Sequence, residues 1–270
     1  MALSPWQYSF NGFVFGAGTP YGVETAKGLA SSPALRVHDS DRGYQDGSFS
    51  GRDFLDSRHV TFDFVILGDA THSAFYYYQQ LQKNLAPQQQ GLYPDPYAST
   101  QAIGTLGLFQ FELSALTGNQ RMWGRVRNVD ADIDPDFSMG FILATVEFYF
   151  PDPRYYDETA LTASGSTIAT ISNAGWATSC PAITIATPSA SGSISDSLTG
   201  ASMAFANINT GYPLVIDLLR RTISQNGLPS RNVLSSMNNW LTIPANTNSG
   251  TATWISTIGS MALTWRNAYL

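Results

Sequence analysis

Apolar and polar residues alternate with a period of two along most of this chain, the signature of strands with one buried face. The longest such run sets Phe141, Leu143, Thr145 and Glu147 against Ile142, Val146, Phe148 and Phe150, and it stops at Pro151. Proline cannot donate to a strand ladder, and Pro153 holds Asp152 extended, so the strand ends in a stiff joint with aromatic flanks. A second run, Trp6, Tyr8 and Phe10, then Asn11-Gly12, then Phe13 and Phe15, predicts a hairpin with a two-residue turn. Val60 to Leu67 and Leu106 to Leu116 predict further strands, and Gly118-Asn119 turns the chain into Arg121 to Val129. One segment has a helical period: Ser73 can cap it, and Phe75, Tyr78, Leu81, Gln82 and Leu85 follow three and four apart until Pro87. Asp39 to Gly51 reads as a polar projecting loop.

Beyond Tyr156 the texture changes. Residues 160 to 210 are dominated by Ser, Thr, Ala and Gly, with short β-prone runs at Ala182 to Ala186 and Ser202 to Ile208. Leu214 to Asp217, Arg221 to Ser224, the Asn226-Gly227 turn, Trp240 to Ile243 and Met261 to Trp265 follow. Short strands separated by turn residues predict a β-sandwich or barrel. Charge divides at the same place. Residues 1 to 153 carry 9 Lys+Arg against 16 Asp+Glu, a net of −7, and residues 154 to 270 carry 5 against 4, a net of +1. The expected organisation is mainly β with one helix, a first domain over 1–152 and a second over 153–270. The interdomain joint is Pro151, Asp152, Pro153, Arg154, Tyr155 and Tyr156.

The 270 residues are 43% hydrophobic, enough for two cores, yet only 13% charged, about half the usual share. Such a surface fits a chain covered by other subunits. A net charge of −6 gives no basic footprint for specific nucleic-acid binding. No stretch approaches the roughly 18 apolar residues of a membrane span, so no membrane insertion is expected. Cys180 is the single cysteine, and Met-Ala-Leu-Ser-Pro-Trp lacks signal-peptide regions, so synthesis in a cytoplasm is expected.

The search for chemistry returns little. His38, His59 and His72 do not pair at metal-ligand spacing. Asp39-Ser-Asp41-Arg-Gly43 opens like a calcium loop, but Gly43 stands at a ligand position and Ser50 at the twelfth. Asp130, Asp132, Asp134 and Asp136 alternate, but Pro135 breaks a strand there and makes a solvated acidic loop the expectation. Phosphate-binding glycine motifs and nucleophile elbows are absent. The expectation is a non-enzyme with no catalytic residue, metal or cofactor.

At these residues the chain resembles the distal tail proteins of long, non-contractile-tailed bacteriophages. The resemblance rests on the opening strand with Asn11-Gly12, on Arg36-Val-His-Asp39 with Asp46-Gly47, and on Arg58 leading into Val60 to Gly68. It continues through the helix near 73 to 86 and Pro151-Asp-Pro-Arg-Tyr-Tyr-Asp157, its most specific segment. In the second half it rests on Leu214-Val-Ile-Asp217, Asn226-Gly227 and Trp240-Leu-Thr-Ile-Pro244 with Asn246; Ala245 departs from the family's usual glycine. The resemblance implies a tail-tube-like, ring-forming first β-sandwich and a galectin-like second one. It also implies a homohexameric ring at the distal end of the virion tail, joining tail tube protein to the tail hub or tail-associated protein. DNA would pass through the lumen without specific binding, and the acids at 130 to 136 are candidate lumen-facing groups. The competing reading is a carbohydrate-binding tail module for host adsorption, with Trp176, Trp240, Trp254 and Trp265 as candidate sugar-stacking residues.

Overall fold

Strand alternation translates directly into the first core. The computed structural model describes residues 3–51, 53–87, 106–113, 118–131, 140–246 and 252–270. It divides into two compact units, one running to Tyr155 and including Leu270, the other Tyr156–Tyr269. The protein is mainly β.

In the first unit the strands are β1 (Gln7–Phe10), β2 (Phe13–Gly16), β3 (Tyr21–Lys27), β4 (Leu35–Arg36), β5 (Ser40–Asp41), β6 (Ser48–Phe49), β7 (Phe54–Leu55) and β8 (Arg58–Leu67). Helix α1 (Ala74–Asn84) and strands β9 (Gly107–Glu112), β10 (Gln120–Ala131) and β11 (Phe141–Phe150) complete it. The large sheet runs β2-β1-β9-β10-β11-β8-β3. Long β10 pairs β9 through Gln120 to Gly124 and β11 from Arg125 onward, with a register shift between Val126 and Asn128. Such a shift bends a strand, and the two halves of the sheet enclose one core. Tyr8, Phe10, Phe15 and Phe109 meet Phe62, Phe148 and Phe150 there; Phe10–Phe148 and Phe15–Phe62 have ring centroids 5.3 and 5.4 Å apart, edge to face. The expected alternation of β11 is observed, with Ile142, Val146, Phe148 and Phe150 buried.

The hairpin forms as expected, with Phe10 opposite Phe13 and with Asn11 and Gly12 at φ of +52° and +87°. Trp6 departs from it. The residue lies outside β1 at φ +64° and is 61% exposed, because the pairing with β2 ends at Gln7–Gly16. Ser73 caps α1, its hydroxyl accepting the Tyr76 N–H at 3.3 Å. The packed face of α1 is Ala74, Tyr77, Tyr78 and Leu81, continued by Leu85, while Phe75 is exposed rather than part of it. Strand β9 lies between β1 and β10 and so is not an edge strand; the ends of this strand order are β2 and β3. Residues 35 to 55 form a β-ribbon rather than an irregular loop, with β4 paired to β7 and β5 to β6.

Strand β12 (Tyr155–Asp157) runs across the division, and the second unit holds β13 (Leu161–Gly165), β14 (Thr167–Ile171), β15 (Ala182–Ile185), β16 (Gly192–Asp196), β17 (Ser202–Phe205) and β18 (Leu214–Asp217). It continues with β19 (Thr222–Gln225), β20 (Leu228–Pro229), β21 (Leu234–Met237), β22 (Ala252–Ser256), β23 (Met261–Trp265) and β24 (Ala268–Tyr269). One sheet runs β13-β23-β15-β18-β19-β20 and the other β14-β22-β16-β17-β21. Ile183, Ile185, Leu214, Ile216 and Leu263 of the first share a core with Ile194, Met203, Phe205 and Trp254 of the second, a β-sandwich. Asn226 and Gly227, at φ +50° and +73°, turn β19 into β20. The turn at Ala245 forms without glycine, the positive φ of +54° falling on Asn246.

Candidate functional site

The joint is built around a buried arginine. Arg58 opens β8 opposite Phe150, on the same inward parity as Val60, Phe62 and Phe64. A buried cation looks for acceptors inside the protein, and Arg58 finds them for Nε and Nη1, while Nη2 is buried with no hydrogen-bond partner among the described residues. Its Nε donates to the Pro153 carbonyl at 2.9 Å, and Nη1 lies 2.9, 2.8 and 2.6 Å from the carbonyls of Gly28, Leu29 and Ser31. Its guanidinium carbon sits 5.8 Å from the Tyr155 ring centre. Burial pushes the Arg58 pKa down. Gly28 has φ +86°, and a Cβ there would stand 2.1 Å from the His59 carbonyl oxygen, so only glycine brings this carbonyl to Arg58 without strain.

The other joint residues divide their roles. Pro153 and Tyr156 are buried and Pro151 is exposed. Asp152 accepts the Arg154 N–H at 3.1 Å and pairs with its guanidinium at 3.3 Å. Tyr155 packs on Phe111, centroids 5.7 Å apart. The units divide between Tyr155 and Tyr156, whereas the sequence suggested Asp152 and Pro153.

The acidic feature is reached in part. Asp130, next to last in β10, lines a hollow of about 360 Å³ together with Glu24, Asp63, Leu143 and Thr145. Asp63 accepts from the Thr25 hydroxyl at 2.5 Å, Lys27 at 2.9 Å and the Thr145 hydroxyl at 3.2 Å, and these bonds hold its carboxyl below the usual range. Asp132, Asp134 and Asp136 lie outside the described residues. In the ribbon, Asp39 accepts the Gly51 N–H at 2.8 Å. No group of three or more His, Cys, Asp or Glu side chains is arranged to hold a metal among the described residues.

Three of the four tryptophans are corrected by the second core. Trp254 is fully buried, Trp240 and Trp265 nearly so, and Trp265 donates its indole N–H to the Ser172 carbonyl at 2.9 Å. Their rings are structural and offer no face to a sugar. Trp176 is 55% exposed and packs edge to face on Tyr269 at 4.7 Å. Asp217 satisfies a turn, accepting the N–H groups of Leu219 and Arg220, each at 3.0 Å. Sequence reasoning missed Arg58 as the anchor of the joint, although its inward parity in β8 was a visible signal.

No protein-family model and no curated protein matches the chain. Solved structures do. The fold is that of phage adsorption-hub and baseplate proteins. It is similar to the crystal structure of Dit (gp 19.1) of phage SPP1, described as a paradigm of the hub adsorption apparatus in phages infecting Gram-positive bacteria. That likeness has a TM-score of 0.67 at 15% identity and covers 98% of this chain and 99% of that one. A baseplate chain of phage P2, in its activated conformation with Ca, is similar at a TM-score of 0.50 and 9% identity, covering 96% of this chain and 97% of that one. Among the described residues no helix is long and apolar enough to cross a membrane.

Proposed function

We propose that the protein is a structural, non-enzymatic component of the tail tip of a long-tailed, non-contractile bacteriophage. In this reading it is a distal tail protein that assembles into a homohexameric ring between the tail tube protein and the tail hub. The observation that carries the reading is fold agreement with SPP1 Dit along 98% of the chain, both units included. The first domain would form the ring and the second, galectin-like, would lie outside it. A closed ring uses heterologous contacts, so each subunit needs two different complementary patches. The low charge of the second unit and the acidity of the first fit a protein covered by partners and bordering a passage for DNA. The sugar-binding alternative loses support with the burial of Trp240, Trp254 and Trp265.

The test is mass measurement of the purified chain over a range of concentrations, with negative-stain images of the same sample. Six-fold rings are expected. A monomer at the highest concentrations, together with tail tips from which the chain is missing, would overturn the proposal.

A further inference from the structure

In residues 173–177 a fully buried side chain holds an exposed one in place. Asn173 has no exposure, and all four hydrogen-bonding positions of its amide are filled. Its Nδ2 donates to the Ala177 carbonyl at 2.7 Å and the Pro244 carbonyl at 3.3 Å, and its Oδ1 accepts the N–H groups of Gly175 at 3.0 Å and Ala268 at 3.2 Å. Backbone bonds fasten the same stretch. The Ala177 N–H donates to the Ala268 carbonyl at 2.9 Å, and the Asn246 N–H to the Gly175 carbonyl at 2.8 Å. Gly175 lies so close to β24 that a Cβ would stand 1.9 Å from the Ala268 carbonyl oxygen. The residue presented by this clamped stretch is Trp176, at 55% exposure. A single exposed aromatic needs no explanation. One whose backbone is pinned on both sides is preorganised for a contact.

The surroundings of the indole are polar. Tyr269 packs on Trp176 edge to face, ring centroids 4.7 Å apart, and its hydroxyl donates to the Asp157 carboxylate at 3.3 Å. The Tyr269 ring therefore spans from the indole to the carboxylate. Asn267 borders both: its Nδ2 donates to the same Asp157 oxygen at 2.8 Å, and its Oδ1 accepts the Ala174 N–H at 3.0 Å. Both donors use Oδ2 of Asp157, which leaves Oδ1 to accept from a ligand hydroxyl. All of these residues belong to the second unit. An aromatic platform with a carboxylate, an amide and a phenol beside it complements a pyranose ring, which has an apolar C–H face and hydroxyls along its rim. The carboxylate repels acidic sugars, so the matching ligand is neutral. Two aromatic rings fall far short of the ~800 Å² per side of a stable protein–protein contact, whereas they match one or two sugar rings.

We propose that Trp176, with Tyr269, Asp157 and Asn267, forms a binding site for a neutral pyranose of a surface glycan. The sugar ring stacks on the indole, and its hydroxyls bond to Asp157 and Asn267. The site lies within the second unit and does not depend on the ring reading.

The test titrates the full chain with neutral oligosaccharides of glucose, galactose and N-acetylglucosamine, and with polygalacturonate as the acidic comparison, read by saturation-transfer NMR and calorimetry. At least one neutral oligosaccharide should bind saturably and polygalacturonate should not. Trp176→Ala should weaken that binding at least ~10-fold, as truncation of an aromatic anchor does, and Asp157→Asn at least ~3-fold. Trp176→Leu and Trp176→Phe keep an apolar cover on Tyr269 and so separate stacking from folding. The Leu variant should lose at least ~10-fold and the Phe variant stay within ~3-fold of the parent. No saturable binding of any neutral oligosaccharide at ~10 mM, or equal affinity of the parent and the Leu variant, overturns the site. So does a Trp176→Ala chain that binds sugar as the parent does but fails to enter tail tips, which makes the tryptophan a protein contact instead.

Discussion

Replacing Arg58 with methionine isolates what the buried guanidinium contributes. Methionine keeps an apolar stem on the inward face of β8 and removes all the charge. Four main-chain carbonyls, those of Gly28, Leu29, Ser31 and Pro153, then lose their donor. A dry carbonyl left without a partner costs about 1 kcal/mol or more, giving a gross loss near 4 kcal/mol. Two effects reduce it: water re-enters at the rim of the loop, and the desolvation that lowers the Arg58 pKa is relieved. The expected net cost is therefore about 2–4 kcal/mol.

The cost should fall on the first unit alone, because all four carbonyls and β8 belong to it. For a unit of this size, it corresponds to a melting shift of roughly 5–15 °C. Urea unfolding by circular dichroism gives the free energy, and amide exchange read by mass spectrometry locates it. Exchange should accelerate in residues 28–31 and 153–155 and stay unchanged in β15 and β18. Arg58→Lys separates charge from geometry. One ammonium cannot span both Pro153 and the 28–31 loop as the fork does, so it should recover only part of the loss. A Met variant within about 1 kcal/mol of the parent, or a Lys variant equal to it, would refute the clamp.

Further outcomes follow from other sites. Asp69 accepts the Tyr77 hydroxyl at 2.6 Å and two backbone N–H groups, which lower its pKa to about 2 from 3.8, while Tyr77 is pushed up to about 12 from 10.0. The depressed carboxyl stabilises the fold above the unfolded pKa near 3.8 and loses that contribution as pH falls toward 2, so Asp69→Asn should lower the urea midpoint at pH 7 and not at pH 2. The raised phenol stabilises below pH 10 and loses its contribution as pH rises through 12, which tyrosinate absorbance would follow. Trp254→Ala should cost about 3–5 kcal/mol by urea unfolding through a core cavity. Trp254→Phe should cost clearly less, because the buried indole N–H has no hydrogen-bond partner among the described residues. Gly28→Ala should destabilise the first unit as Arg58→Met does, since its Cβ would meet the His59 carbonyl oxygen at 2.1 Å; equal melting temperatures would argue against it.

What the sequence made legible is what local physics decides. The strands β8 and β11 were readable because apolar residues, most of them large, occupy the inward positions beyond Arg58, and a one-residue shift would turn them all to solvent. The Asn11-Gly12 and Asn226-Gly227 turns were readable because positive φ at both positions selects those residues. By contrast β13, β16 and β21, rich in Ser, Thr, Ala and Gly, are strands because long-range partners supply their ladders, and composition carries no record of those partners. The same holds for Phe75. It fits a helical period as well as Tyr77 does, and only the placement of α1 against β8 and β11 decides that Tyr77 turns inward.

The joint shows how a correct segment was assigned an incomplete cause. Pro151 and Pro153 stiffen the backbone locally, and that much is visible in two letters. Pro151, however, is exposed, and what ties the segment down is a carbonyl of Pro153 held by a side chain 95 residues earlier in the chain. Proline's missing N–H removes a donor but leaves its carbonyl, and a buried carbonyl needs a donor from elsewhere. Once β11 ends at Phe150 the ladder can no longer supply one, and Arg58, paired with Phe150 in register, is the nearest inward residue long enough to reach past the end of the strand. The arginine therefore belongs at the first position of β8 and not at any interior one, where a guanidinium would face the rings of Phe62 and Phe148 without a carbonyl to meet it.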